Sequence, residues 1–354
     1  MTTKTTTAKT VAPTLLAMLL FGVAPLTLAA DYPERAAFGE RAAAVGLGVD
    51  SLNLLKRQPG PGAEPTAAVL LERFHGRLPG VSTSDRFNRE VTEKQTSLIS
   101  EEGWYLNVNA DGTSVRYRNY PYLEKTAHLA RPVEERFQPH ELESLGRDFI
   151  AKHLDGLIKL GKNEDLVPYF SEFEISGGGA SADGASMDPE LVQASTIVFT
   201  RVINGQPVLG GGSKIAVIFA NDGEPVGFDY DWPSYVQTRS SQKILPLDQI
   251  RRRGVDYSKF NPDDAEVKER GFECGYIDLG ARKRDPDAVI QAGCMRQAIQ
   301  KTIVDPKTHA EDEGSGHILK SSLDFLPAGE TVETDRVWEL ARKPVVDLTK
   351  VTRE

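Results

Sequence analysis

The chain of 354 residues sets 42 lysines and arginines against 51 aspartates and glutamates, for a net charge of −9, and is 40% hydrophobic and 26% charged. That composition excludes a fibrous or disordered chain, and the acidity excludes a protein that grips a phosphate backbone through a basic surface. The length exceeds what one hydrophobic core usually organises, so two or three domains are expected.

Lys4 and Lys9, the mostly apolar run Leu15–Leu28, and Ala29-Ala30 before Asp31 have the layout of a secretory signal peptide. The run is short and interrupted by Pro25, so a membrane span is not expected there. No later segment is apolar enough to cross a bilayer, and an exported protein, secreted or periplasmic, is expected.

Residues 31–57 are alanine-rich and predict a helix weakened by Gly39 and Gly46. Three prolines and two glycines in 58–65 predict a linker. Thr66 then caps a short helix carrying Val69, Leu70 and Phe74, ended by Gly76. Residues 77–97 carry no pattern. Leu106 and Val108 alternate with Asn107 and Asn109, Asp111-Gly112 supplies a turn, and Val115 and Tyr117 alternate on the return, which predicts a hairpin.

Leu142, Leu145, Phe149, Ile150 and Leu154 fall on one face of a helix over 139–156, with Pro139 suited to its first turn. Ser176–Met187 predicts a flexible loop. Strands follow at 196–203 and 214–219 and around Val226, Phe228 and Tyr230, with turns at Asn204-Gly205 and Asn221-Asp-Gly223.

Cys274 and Cys294 are the two cysteines. Each lies ten residues from Arg284, in a turn-like stretch between two Val/Ile-rich segments. A hairpin centred there sets them opposite one another, where Cα atoms stand ~4.5 Å apart, and an oxidising compartment makes a disulfide the default.

The two Asp-Gly hairpins align at an offset of 111, with Leu106 on Val217, Val108 on Phe219, Val115 on Val226 and Tyr117 on Phe228. The reading is an α+β protein of repeated helix-on-antiparallel-sheet modules. Its parts are a leader at 1–30, an N-terminal module at 31–130, a central module at 131–240 and a C-terminal module with the disulfide hairpin at 241–354.

The stretch Phe199-Thr-Arg-Val-Ile-Asn204-Gly205-Gln-Pro207-Val208-Leu-Gly210, followed by Ile215-Ala-Val-Ile-Phe219 and Asn221-Asp-Gly223, resembles the PepSY and related propeptide modules of secreted bacterial proteins. The resemblance covers about 139–232. It implies a helix on a small antiparallel sheet, and a module that restrains a protease or binds another protein at the cell surface. No His-Glu-x-x-His is present, so the implication is a stand-alone binding or inhibitory protein rather than a protease precursor.

For chemistry, Asp229 and Asp231 share a face of one extended strand next to Trp232, which suits a carbohydrate or calcium site or a general-acid pair. A solvated strand end is the plainer reading. Trp104, Tyr117, Tyr120 and Tyr122 suit either a binding patch or an aromatic core. The six histidines lack zinc spacing. His309 and His317 with Glu311 and Asp312 read as an acidic loop before a metal site. Gly205–Lys214 is glycine-rich, but a strand follows where a phosphate loop needs a helix.

No cofactor and no metal are expected. The preferred function is a non-catalytic protein that binds a protein partner at the envelope through sheet edges and an aromatic patch. The alternatives are an exported hydrolase of carbohydrate or peptidoglycan using Asp229 and Asp231, and a structural surface or matrix protein.

Overall fold

The computed structural model describes residues 48–177, 189–257, 267–281, 289–303, 317–332 and Trp338. The expected leader and its cleavage site lie outside these residues, as do most of the loop predicted after Ser176 and the group His309, Glu311 and Asp312.

The chain begins with strand β1 (Ser51–Arg57) and helix α1 (Ala63–Phe74). Four strands follow: β2 (Phe87–Val91), β3 (Gln95–Ser100), β4 (Tyr105–Asn109) and β5 (Ser114–Arg118). Helix α2 (Tyr120–Lys125) is capped by Asn119, whose side-chain oxygen accepts from the Tyr122 N–H. After β6 (Arg131–Pro132), helix α3 (Pro139–His153) opens with Pro139 in its first turn and a capping box between Gln138 and Glu141. Then come β7 (Glu164–Ser176), β8 (Leu191–Ile203), β9 (Gln206–Leu209), β10 (Lys214–Ala220), β11 (Pro225–Asp231) and β12 (Tyr235–Lys243). Two short helices, α4 (Leu247–Arg252) and α5 (Gly254–Tyr257), precede β13 (Val267–Ile277), β14 (Gln291–Ile303) and β15 (His317–Pro327).

This architecture overturns the α+β reading of repeated helix-on-sheet modules. The protein is mostly β, and thirteen strands join one mixed sheet while β1 and β12 form a separate antiparallel ribbon. Strand pairing crosses both expected domain boundaries. β5 pairs β11 antiparallel with Tyr117 opposite Phe228, so the two Asp-Gly hairpins lie side by side in one sheet. β9 then pairs β13 in parallel at Tyr276↔Val208 and Ile277↔Leu209. The physical reason is edge satisfaction. An alternating strand identifies its own apolar face but not its neighbour, and pairing β5 with β11 removes two exposed edges.

Several local elements also differ from expectation. Residues 51–57 form a strand where a helix was expected, burying Leu54 and Leu55. Thr66 is no cap: it is buried inside α1, and its hydroxyl donates to the Gly112 carbonyl at 3.3 Å. The unpatterned stretch before Gln95 holds β2. The predicted helix at 139–156, the meander of β8, β10 and β11, and the Asn204-Gly205 turn are present. Asn204 and Gly205 both adopt positive φ (51° and 75°), as a two-residue hairpin turn requires. Cys274 stands opposite Cys294 in the β13–β14 ladder, and the two are joined by a disulfide.

The main core lies between α1 and α3 and one face of the sheet. It contains Leu70, Phe74, Leu142, Phe149 and Ile150 from the helices and Leu106, Tyr117, Phe199, Val217 and Phe228 from the strands. Gly146 lets α3 settle on β8, since a Cβ there would lie 2.6 Å from the Phe199 ring and 2.8 Å from Ile197.

Candidate functional site

The helices cover the face that carries Leu106, Tyr117, Phe228 and Val217. By alternation the opposite face carries the intervening residues. Strand register sets two rows across it. One runs Ile99, Tyr105, Arg118, Gly227, Ile218 and Thr196; the other runs Asn107, Arg116, Asp229, Ala216 and Val198. Tyr105, Asn107, Arg116, Ala216, Ile218 and Thr196 are half-buried, and Ile99 is 47% exposed. Tyr120, 38% exposed at the start of α2, brings its ring to 6.1 Å from that of Tyr105. Burial, with Tyr120 beside it, holds the Tyr105 phenol above its ordinary value.

The centre of this face is an ion cluster. Arg118 donates to Asp229 Oδ2 at 2.6 Å and to Oδ1 at 3.1 Å, and Arg116 Nε donates to Oδ1 at 3.1 Å. Burial alone would lower the Arg118 guanidinium, but Asp229 outweighs it and holds it raised. Asp229 therefore has both carboxylate oxygens engaged by two arginines.

Asp231 shares the strand face with Asp229, as the alternation predicted, but it serves a different place. It is buried, stands opposite Lys214, and accepts the Ala281 N–H at 2.6 Å. Trp232 is also buried. Its Nε1 donates to the Lys159 carbonyl at 3.1 Å, and its ring lies 4.9 Å from the Arg201 guanidinium. Trp104 and Tyr117 are each 1% exposed and pack in the core, the plainer of the two readings their sequence allowed. On this face the partly exposed aromatic is Tyr105, with Tyr120 beside it. Tyr105 was legible as the polar-phase neighbour of Leu106.

A second cluster, which the sequence did not signal, lies where the main sheet meets β13. Asp278 is fully buried. It accepts Arg57 at 2.7 and 3.3 Å, the Gly280 N–H at 3.0 Å and the Tyr235 hydroxyl. The Tyr235 hydroxyl also meets Ser213 Oγ at 2.9 Å. Lys214 Nζ donates to the Val208 and Gly212 carbonyls and stands 5.3 Å from the centre of the Tyr169 ring. The Tyr169 hydroxyl donates to Glu273 Oε2 at 2.7 Å. Burial pulls the Lys214 amine down to about 8, against the opposing pull of Glu273, Asp278 and Asp231. Burial pushes the Glu273 carboxyl up, against Tyr169 and Lys214. The glycine-rich segment before Lys214 serves this junction and holds no phosphate-loop helix: a Cβ at Gly212 would lie 2.2 Å from Asp278 Cγ.

No protein-family model matches the chain, and no curated protein matches it significantly. A crystal structure of an uncharacterized protein from Eubacterium rectale is similar to it, with a TM-score of 0.51 and 10% sequence identity, over 80% of this chain and 86% of that one. At that identity the likeness shows the fold alone.

Among the described residues, no group of three or more His, Cys, Asp or Glu side chains is arranged to hold a metal ion. No described helix is long and apolar enough to cross a membrane. His153 is buried between Phe74 and Phe149, which is a core position.

Proposed function

We propose that this chain is an exported, non-catalytic protein that binds another protein at the cell envelope through the open face of its main sheet. The observation that carries the reading is the half-exposed face around Ile99, Tyr105 and Tyr120, set beside the Arg116–Asp229–Arg118 cluster. Large amphipathic rings next to arginine are the residue types that anchor protein interfaces. The disulfide supports an oxidising compartment, and the resemblance of 139–232 to propeptide modules supports a restraining role. The β7 edge contributes less. β7 carries Pro168, Glu172, Glu174 and two bulges, which are features that discourage strand addition.

The test is affinity capture with the oxidised protein from envelope and secreted fractions, run beside the variant Ile99→Asp/Tyr120→Asp. The expected result is one protein retained in stoichiometric amount by the parent and lost by the variant. Retention of nothing, of glycan alone, or of the same protein by both forms would overturn the reading.

A further inference from the structure

The C-terminal strands are joined to the main sheet by a short backbone seam. β9 registers with β13 at two residue pairs, extended by the Asp278 N–H to the Leu209 carbonyl at 2.9 Å and the Gly212 N–H to the Asp278 carbonyl at 2.9 Å. Side chains supply the rest: Val208 with Tyr276, and Leu209 with Ile277, lie in two small buried apolar clusters, and beside them stands a set of buried charged groups. Two of the cations have a committed carboxylate: Arg57 holds Asp278, and Arg201 holds Glu164. Lys214 has none. Its Nζ bonds only to carbonyls, while both Asp231 and Glu273 act on it through space.

Glu273 is the unusual member of this group. It is 8% exposed, and its Oε1 is buried with no hydrogen-bond partner. The groups facing it are the Tyr169 hydroxyl from β7 and the Lys214 amine from β10, and its cross-strand neighbour on β14 is Met295. A buried carboxylate with one satisfied oxygen and no cation bonded to it is costly when charged, Lys214 offsetting part of that cost through space, and far less so when it carries a proton. An unpaired buried oxygen is also the natural place for that proton.

We infer that the seam between the main sheet and β13 is proton-linked: it closes with Glu273 protonated and loosens when Glu273 must be charged. Glu273 is raised above 4.5 in the closed protein. A group raised in the closed form favours closure at low pH, and that contribution disappears as pH rises through the closed-state value. Lys214 acts with the opposite sign. It is lowered from 10.5 to about 8, so its contribution to closure returns only as pH climbs above about 8. The seam is weakest between the two windows, above the closed-state value of Glu273 and below about 8.

The experiment is hydrogen exchange on the full oxidised chain between pH 5 and pH 8, with intrinsic rates divided out. It follows the peptides spanning 206–212 and 272–281. One linked proton permits at most a tenfold loss of protection per pH unit. The parent protein is expected to lose protection in these peptides as pH rises, while Glu273→Gln keeps protection flat. Tyr169→Phe removes the donor to the charged carboxylate, so it is expected to move the fall to higher pH. That second variant decides the matter if Glu273→Gln does not fold. Flat protection in the parent, an equal slope in Glu273→Gln, or an unmoved midpoint in Tyr169→Phe would each overturn the inference.

Discussion

Asp229 receives N–H donors from two arginines, and both Asp229 and Arg118 are almost fully enclosed. Replacing Asp229 by Asn keeps the shape but leaves Arg118 without its counter-charge. Breaking a buried pair from one side costs about 3–5 kcal/mol. Because Arg116 is partly exposed and can turn to water, we expect the low end, about 3 kcal/mol, read as a drop in urea midpoint at unchanged slope. A loss below about 1 kcal/mol would mean the cluster is solvated and no structural anchor. His153 gives a second prediction at this scale. Burial, then Arg77 and Lys152, hold its imidazole below 6.5. The unfolded chain therefore takes up the proton first as pH falls, and stability declines below pH 6.5 until the folded value is passed. The variant His153→Gln is expected to show a smaller fall in Tm between pH 7 and pH 5 than the parent. Equal falls would assign the acid sensitivity to other groups.

Helix α3 docks through a glycine. Gly146→Ala would gain about 1 kcal/mol of helix propensity, but the new methyl would meet Phe199 and Ile197 well inside contact distance. Overpacking of that kind costs typically 1–3 kcal/mol, so the clash is expected to win and net stability to fall by about 1 kcal/mol. Stabilisation by Gly146→Ala would show that the helix can shift outward. The helix itself was legible, because Leu142, Phe149 and Ile150 repeat at helical spacing and the capping signals agree with them. The hairpins were legible for the same reason: Asn204-Gly205 and Asp111-Gly112 sit between alternating runs. β7 was not. Its sequence mixes Pro168 with acidic residues, and it forms a strand because it lies along an edge, with bulges after Pro168 and Glu174. The candidate site was legible only in part. Alternation placed Asp229 and Asp231 on one face, but nothing local shows that Arg116 and Arg118, more than a hundred residues away, claim Asp229. Trp104 and Tyr117 read as core before patch, and they pack with Phe74 and Phe228 in the main core.

At the scale of the whole molecule, the question is whether the C-terminal strands stand or fall with the main sheet. Apart from the clusters they share with β1, β8 and β9, their own core is small: Ile250, Ala292, Leu326 and Ala328 gather around the buried cysteines. A core of that size gains much from a cross-link, and the loop closed by Cys274–Cys294, with a sequence separation of 20, is worth on the order of 3 kcal/mol. The main core, with Phe74, Tyr117, Phe149, Phe199 and Phe228 packed together, contains no cysteine. The double variant Cys274→Ser/Cys294→Ser is therefore expected to unfold in two steps in urea. An early step would be seen as lost exchange protection in β13 and β14, and a later one would stay near the parent midpoint in β4, β5, β10 and β11. A single transition shifted as a whole would mean that the seam couples the two regions into one cooperative unit. In that event the coupling would lie in the charged groups around Lys214 and Asp278 and in the apolar clusters that join Val208 to Tyr276 and Leu209 to Ile277, since the backbone ladder between β9 and β13 is short.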